Sequence, residues 1–519
     1  MGAQHAFVRI AEATSPYFAE FMGTFFLAIM YACTALTGDL MWMPTAMGFA
    51  NVVALGGVAA AGGHLNPAVS LAMGIVRLAR WTQVSGFVAA QLLGALAGGS
   101  LATCLLDTGG VHIGPKPGFR WLHVFITEGV YTAAFCLAAL SCSAASGGRV
   151  RGAGSSQFLP LAVGFMAIAA GHASLDVSGC LLNPALVLGL GLTGGAQPVA
   201  CAMYVGVQLA AGFAASVLLT MTRPEALFGG GRSADAREAS RPDAEGGASA
   251  ANLAALTDVG TKSPQPWITA KWLSEFIGTY IVVFTFGVSG VLVRRQSGGE
   301  DQVMKNSAVH WATAAAVTSM VYALGDISGG SFNPAVSFAV ACSGRGKYVL
   351  FELLSLVVAQ ASAAIVAAFT MVPFDWQGPR DIVRDLHARE GHRERSVVLG
   401  ESTFTMAWAL VVLCTTTVKS SRYPRATSAR DFSPALAIGV AVAAGGCAVE
   451  GTTGGVLNPA ASLAVSACGV LTEGVGTWPR DCLKYCICQA AGGVVAALLF
   501  AATHPLEYEK DPMRGTLGA

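Results

Sequence analysis

The chain has 519 residues, a formal net charge of +1, 12% charged residues and 54% hydrophobic ones. That charged share is about half of what a soluble domain carries, which excludes a water-soluble globule of this size. The near-zero net charge also excludes a nucleic-acid partner, which requires a basic footprint. Mean hydropathy is +0.57, and the composition predicts an all-α polytopic membrane protein. The 13 cysteines are odd in number. Most stand in apolar runs, as Cys33, Cys136 and Cys414 do. They read as small buried residues, with no disulfide scaffold and no metal site.

Taken in chain order, the first apolar run extends from Tyr17 to Leu36. It is long enough to cross a bilayer, which takes roughly 20 residues, and no cleavable signal is legible before it. Further runs centre on about residues 51, 93, 133, 166 and 210. Segment 223–266 then holds 11 of the 61 charged residues (31 basic, 30 acidic) and almost no large apolar ones, so it reads as a flexible cytosolic linker. A second block of runs centres on about 283, 318, 360, 408, 441 and 493. Within it, segment 372–396 carries 10 charges of mixed sign and reads as a long loop with a short surface helix. The chain therefore divides into 1–222, a linker 223–266, and 267–519, with six spans in each block. An even span count puts both termini and the linker on one side. Arg77, Arg80, Arg149 and Arg151, set against Lys116 and Arg120, make that side cytosolic.

Internal repetition dominates the rest of the pattern. Asn-Pro-Ala occurs four times: Asn66-Pro67-Ala68, Asn183-Pro184-Ala185, Asn333-Pro334-Ala335 and Asn458-Pro459-Ala460. A Glu with Thr four residues later stands upstream of each: Glu20, Glu128, Glu275 and Glu401. A Gln inside an apolar run stands downstream of each: Gln91, Gln208, Gln360 and Gln489. The unit is a three-span half used four times. An odd span number makes successive halves enter with opposite topology, so the pattern is an inverted repeat that has then been duplicated whole.

Asn is a strong N-cap and Pro suits the first helical position, so each Asn-Pro starts a helix. The apolar run that follows is about 10 residues, or ~15 Å, which crosses half of a bilayer core. A half-span behind irregular Gly-rich backbone is a re-entrant helix lining a cavity. Two such helices meet with their positive dipole ends facing. Each Asn oxygen caps its own helix and leaves the amide NH2 to donate into a lumen. Water accepts those donors, whereas a cation meets positive potential. The buried Glu residues read either as acceptors for the loop backbone or as a proton relay. Their recurrence with Asn-Pro-Ala favours the structural role.

This arrangement resembles the aquaporin (major intrinsic protein) family over nearly the whole chain, as two complete units fused in tandem. The resemblance implies six tilted helices and two half-helices around one pore per unit. It implies a passive channel for water or small neutral solutes of the glycerol, urea and ammonia class, in a bilayer, with no cofactor. It also implies four pores per assembly, hence a homodimer of tandem chains forming a pseudo-tetramer. The family's constriction positions fall on Met47 (or Ala46), His172, Cys180 and Leu186 in the first unit. In the second they fall on Thr313, Cys447, Gly455 and Ala461. The constriction Arg that typical members carry after the second motif is absent from both units, where Leu186 and Ala461 stand instead. The second pore, lined by small residues, is accordingly expected to have the wider outer mouth.

Two other functions fit less well. A twelve-span secondary transporter would place an ion-coordinating site at the midplane, where Asn-Pro-Ala stands. A poorly conducting structural protein of the same fold would be consistent with the missing Arg residues. Nothing in the chain forms a catalytic or metal constellation, so an enzyme is not expected.

Overall fold

The computed structural model describes residues 2–37, 41–58, 63–106, 110–145, 158–224, 268–295, 302–375, 386–389, 391–418 and 434–508. Residues 225–267, which take in most of the expected 223–266 linker, lie outside these. So does the middle of the expected 372–396 loop, of which a short 3-10 turn, Val372–Asp375, opens the described part.

The described residues form sixteen α-helices and no strand. In the first unit these are α1 (Gly2–Thr37), α2 (Met43–Val53), α3 (Pro67–Ile75), α4 (Trp81–Leu106), α5 (Trp121–Ala145), α6 (Leu159–Ser178), α7 (Pro184–Gly194) and α8 (Pro198–Thr222). In the second they are α9 (Ile268–Arg295), α10 (Gln302–Ser328), α11 (Pro334–Cys342), α12 (Leu350–Met371), α13 (Glu394–Thr416), α14 (Pro434–Thr453), α15 (Pro459–Glu473) and α16 (Trp478–Thr503). Ten of these are long and apolar enough to cross a membrane. Two more complete the twelve. The first, α2, has 11 residues before one π turn, Ala54–Val58, extends it. The other, α10, is long but carries His310, Asp326 and several Ser and Thr.

The half-helices α3, α7, α11 and α15 all begin at the Pro of Asn-Pro-Ala. The first three have 9, 11 and 9 residues, as the sequence predicts, but α15 has 15. The reason is local. Helix α7 stops at Gly195, whose φ is +68. The same position, twelve residues past the motif Asn, is Val470, and a β-branched residue does not take that conformation. The helix therefore runs on to Gly474.

Each unit packs the same way: α1 on α4, α2 on α6 and α5 on α8, then α9 on α12, α10 on α14 and α13 on α16. Small residues permit the closest approaches. A Cβ on Gly94 or Gly98 of α4 would stand 2.3 Å from the Phe21 carbonyl oxygen and 2.5 Å from that of Phe25. That GxxxG spacing thus serves packing within the unit.

The two units touch along one seam, where α9 and α10 lie on α5 and α6. Polar contacts register it. Ser319 Oγ donates to the Ala162 carbonyl at 2.7 Å, and Tyr131 OH donates to Thr285 Oγ1 at 3.1 Å. His123 Nε2 meets the Pro373 carbonyl at 2.8 Å. Arg223, where the expected linker begins, is buried and grips Asp326 with two bonds of 2.8 and 2.6 Å. Large apolar residues such as Phe213, Phe351, Leu354 and Leu498 stand exposed on the outer faces, as lipid contact requires of an integral multi-pass protein.

The candidate pore and its two mouths

The site begins with four residues in an unusual conformation. Leu65, Leu182, Phe332 and Leu457, each directly before a motif Asn, have φ of +55, +48, +47 and +52. For a large L-residue this costs about 1–2 kcal/mol. It persists because both sides of the residue are bonded. The upstream Glu takes its N–H, and the opposite Asn takes its carbonyl.

The Glu contacts repeat. Glu20 accepts from the N–H groups of His64 and Leu65 at 2.5 and 2.7 Å. Glu128 accepts from Leu181 and Leu182 at 3.1 and 2.9 Å. Glu275 accepts from Ser331 and Phe332 at 3.0 and 2.8 Å. Glu401 accepts from Val456 and Leu457 at 3.2 and 2.8 Å. The downstream Gln donates to the same carboxylate each time, at 2.7, 2.9, 2.7 and 2.8 Å for Gln91, Gln208, Gln360 and Gln489. In three halves a hydroxyl five residues before the Asn adds a further donor: Ser178, Ser328 and Thr453, at 2.6, 2.7 and 2.7 Å. Ala61 holds that position in the first half and has no hydroxyl. These contacts make the four Glu residues acceptors for the re-entrant backbone.

Every motif Asn does two things. Its Oδ1 caps its own half-helix, accepting from Ala68, Ala185, Ala335 and Ala460 at 2.9 Å each. Its Nδ2 crosses to the carbonyl of the left-handed residue in the opposite loop. Asn66 reaches Leu182 at 2.9 Å and Asn183 reaches Leu65 at 2.8 Å. Asn333 reaches Leu457 at 2.9 Å and Asn458 reaches Phe332 at 3.0 Å. One of the two amide protons is thus spent on the crossing, and one remains to face a lumen.

In the first unit these groups line a cavity of about 30 Å³, enough for one or two waters. Met47, Cys180 and Leu186 line it together with Asn66 and Asn183. His172 and Ala46 do not. His172 is half-buried, and its Nε2 has no hydrogen-bond partner among the described residues. Asn51 and Tyr31 also line the cavity and escaped the sequence reading. Asn51 donates to the Met47 carbonyl at 2.9 Å, which leaves its carbonyl oxygen for the lumen. An Asn inside an apolar run, one turn past Met47, was the legible signal.

Helix packing settles the register between the units. Gly171 and Gly446 each precede the motif Asn by twelve residues (183 − 171 and 458 − 446). A Cβ on Gly171 would stand 2.6 Å from Pro44, and one on Gly446 would stand 2.3 Å from the His310 ring. Pro44 and His310 are therefore counterparts, and three residues on, so are Met47 and Thr313. Thr313 is buried and bonds the Val309 carbonyl at 2.7 Å. Cys447 is exposed, with its thiol 3.9 Å from the Ser307 carbonyl. Ala461 is buried.

Gly455 is the counterpart of Cys180, and both have positive φ. The space it leaves is not open, because a Cβ there would stand 2.8 Å from His310 Cε1. At the opposite end of the second unit is a cavity of about 320 Å³ lined by Lys271, Asp326, Ser331, Lys347 and Tyr348 among others. Burial holds the Tyr348 phenol above its ordinary range, so it lines that mouth as a neutral hydroxyl.

The profile of the major intrinsic protein family matches residues 8–180 and 262–500. The chain belongs to this family. It holds two of its units in tandem, and members of the family are channels. It is 32% identical over 185 residues to the glycerol uptake facilitator protein-like 6 of Lactiplantibacillus plantarum, a match covering 33% of this chain and 81% of that protein. It is 29% identical over 281 residues to the probable aquaporin PIP2-7 of Oryza sativa subsp. japonica, covering 50% of this chain and 89% of that one. Among solved structures, the aquaglyceroporin from Plasmodium falciparum aligns at 18% identity with a TM-score of 0.39, over 46% of this chain and 99% of that one.

The clamp makes a test of the site. Glu401→Ala strands the backbone N–H groups of Val456 and Leu457, at about 1–3 kcal/mol for each group left buried and unbonded. The purified E401A protein should unfold in detergent at a clearly lower temperature than wild type. E401Q, which keeps one accepting oxygen, should fall between them. An unchanged midpoint for E401A would remove the clamp from the account.

Proposed function

We propose that the chain is a passive, non-enzymatic channel for water and small neutral solutes, with two inequivalent pores in each chain. The observation that carries this is the crossed pair of Asn amides at the meeting point of two half-helices, present in both units. Each half-helix N-terminus carries roughly half a positive charge. A monovalent cation about 5 Å from two such ends meets ~3 kcal/mol at an effective dielectric of 20. A neutral solute meets none of this and still finds the remaining amide proton. Neither Leu186 nor Ala461 brings a charge of its own, so in the first pore cation exclusion rests on the Asn pair and the helix dipoles. The first pore, whose cavity has Met47, Cys180 and Leu186 in its wall, is the more apolar of the two. The excess of Arg in the loops of the first block supports cytosolic termini and a cytosolic linker 223–266 between units 1–222 and 267–519.

Stopped-flow swelling of liposomes holding the full chain should show water flux and saturation-free flux of at least one of glycerol, urea or ammonia. Flux that required a sodium or proton gradient would instead indicate a carrier, and zero flux for every solute would indicate a structural protein.

The proposed assembly is a dimer of chains. The seam within one chain joins α9 and α10 to α5 and α6, two different faces. Trp311 of α10 also reaches Thr45 at the start of α2 at 3.3 Å, but the rest of α1 and α2 in the first unit, and α13 and α14 in the second, remain as matching faces with no comparable seam. A second copy turned by a two-fold axis would cover both and close a ring of four units. Native mass spectrometry should find two chains per particle; one chain, or four, would contradict the closure.

A further inference from the structure

We infer that the outer constriction of the second pore is built by His310, Glu450 and Arg389, rather than by the residues around the fourth Asn-Pro-Ala. The inference rests on the channel reading above.

Three observations meet here. First, the imidazole of His310 occupies the space that two glycines leave. It faces Gly446 of α14, and its Cε1 stands 2.8 Å from where a Cβ on Gly455 would be. Gly455 is the counterpart of Cys180, which lines the lumen of the first unit. His310 thus enters the second lumen's wall from α10 at the level where the first unit uses the side chain of Cys180.

Second, the ring is fixed by a chain of charged partners leading outward. His310 Nε2 lies 2.5 Å from Glu450 Oε2, and Arg389 Nη2 lies 3.4 Å from Glu450 Oε1. The Arg389 guanidinium also lies against the re-entrant loop, with Nη2 3.1 Å from a Cβ position on Gly454. Its segment is tied down: Arg389 N donates to the Thr452 carbonyl at 2.9 Å, and Tyr485 OH donates to the carbonyls of His387 and Thr453 at 3.2 and 2.8 Å. The Arg389 side chain keeps 28% of its surface exposed, against 2% for His310 and 8% for Glu450. The triad therefore presents a cationic, donating edge to the outer mouth and a fixed ring below it.

Third, the fold does not need the triad. The first unit has Pro44 where the second has His310. Eight residues before the motif Asn it has buried Leu175 where the second has Glu450. A buried ion pair is seldom more stable than apolar residues of similar size, so its presence in one unit alone calls for a role beyond packing. Arg389 supplies the fixed positive charge that Ala461 lacks, from a loop instead of a half-helix. His310 sets the width. The solute class this fits is a small uncharged molecule with hydrogen-bonding groups, a polyol or an amide.

The test uses the full chain in liposomes with the first pore blocked by Leu186→Trp. His310→Ala should raise uptake of a four-carbon polyol relative to water by roughly tenfold, the scale on which a pocket discriminates by one small group. His310→Phe, which keeps the ring volume, should leave that ratio near wild type. Arg389→Ala should raise sodium leak. A second readout does not depend on flux. Ala461→Cys is exposed to a membrane-impermeant thiol reagent from outside, and labelling at that position is read by peptide mass spectrometry. Labelling should speed up with His310→Ala and with Arg389→Ala. If wild type passes no solute but labelling still responds, the channel reading fails and the constriction stands. If labelling and the solute ratio are both indifferent to His310→Ala, the proposal is overturned. Should that variant not fold, Arg389→Ala decides: unchanged leak and labelling overturn it equally.

Discussion

Everything at the centre of each unit depends on one joint, the left-handed residue before each motif Asn. The turn that aims a half-helix back the way it came requires positive φ at that point, and the residue supplied is a Leu or Phe rather than a Gly. The conformation costs about 1–2 kcal/mol, while one hydrogen bond to a charged group contributes about 1.5–3. The Glu bond to the residue's N–H therefore offsets the strain, and the Asn bond to its carbonyl ties it to the opposite loop. A bulky residue is useful there because it also packs: the Leu65 and Phe332 side chains press on Gly23 and Gly278 of the first helices. The same contacts that satisfy backbone polar groups at depth thus fix where the two Asn amides stand.

The joint is the same four times over, and the mouths are not. In the first unit one end of the α2–α6 seam is closed by Pro44 against Gly171, and the lumen beside it is walled largely by apolar side chains. In the second the equivalent seam holds a histidine, a carboxylate and a guanidinium from a loop. Duplication therefore kept the part that organises the backbone and let the two entrances differ. The seam between units, with Arg223 gripping Asp326 across it, also ties the end of the first unit's last helix to the wall of the second unit's 320 Å³ cavity.

Much of this was legible because the repeat is written in residues with narrow physical uses. Asn-Pro announces a capped helix start, a lone Glu in an apolar run demands donors, and a Gln at regular distance supplies one. The crossing of each Asn amide to the opposite loop was not legible, since it joins residues more than a hundred positions apart. His310 escaped notice because its partner Glu450 lies 140 residues away, although a carboxylate inside a span was itself a signal. The family resemblance, counted back from the motif, puts His172 and Cys447 at the constriction. The helix contacts place Gly171 and Gly446, one residue earlier, against α2 and α10. The length of α15 turned on Val470 standing where Gly195 ends α7, a single residue that a motif-level reading passes over.

The most direct measurement of the central joint is hydrogen–deuterium exchange of the full chain in detergent, resolved to the loops before each motif. The amides of Leu65, Leu182, Phe332 and Leu457 should be among the slowest-exchanging outside the helices. Glu128→Gln should accelerate Leu181 and Leu182 and, through the crossed Asn183, Leu65, while Phe332 and Leu457 stay slow. Amides at these four positions exchanging as fast as surface loops, or an effect of Glu128→Gln confined to its own loop, would contradict the account.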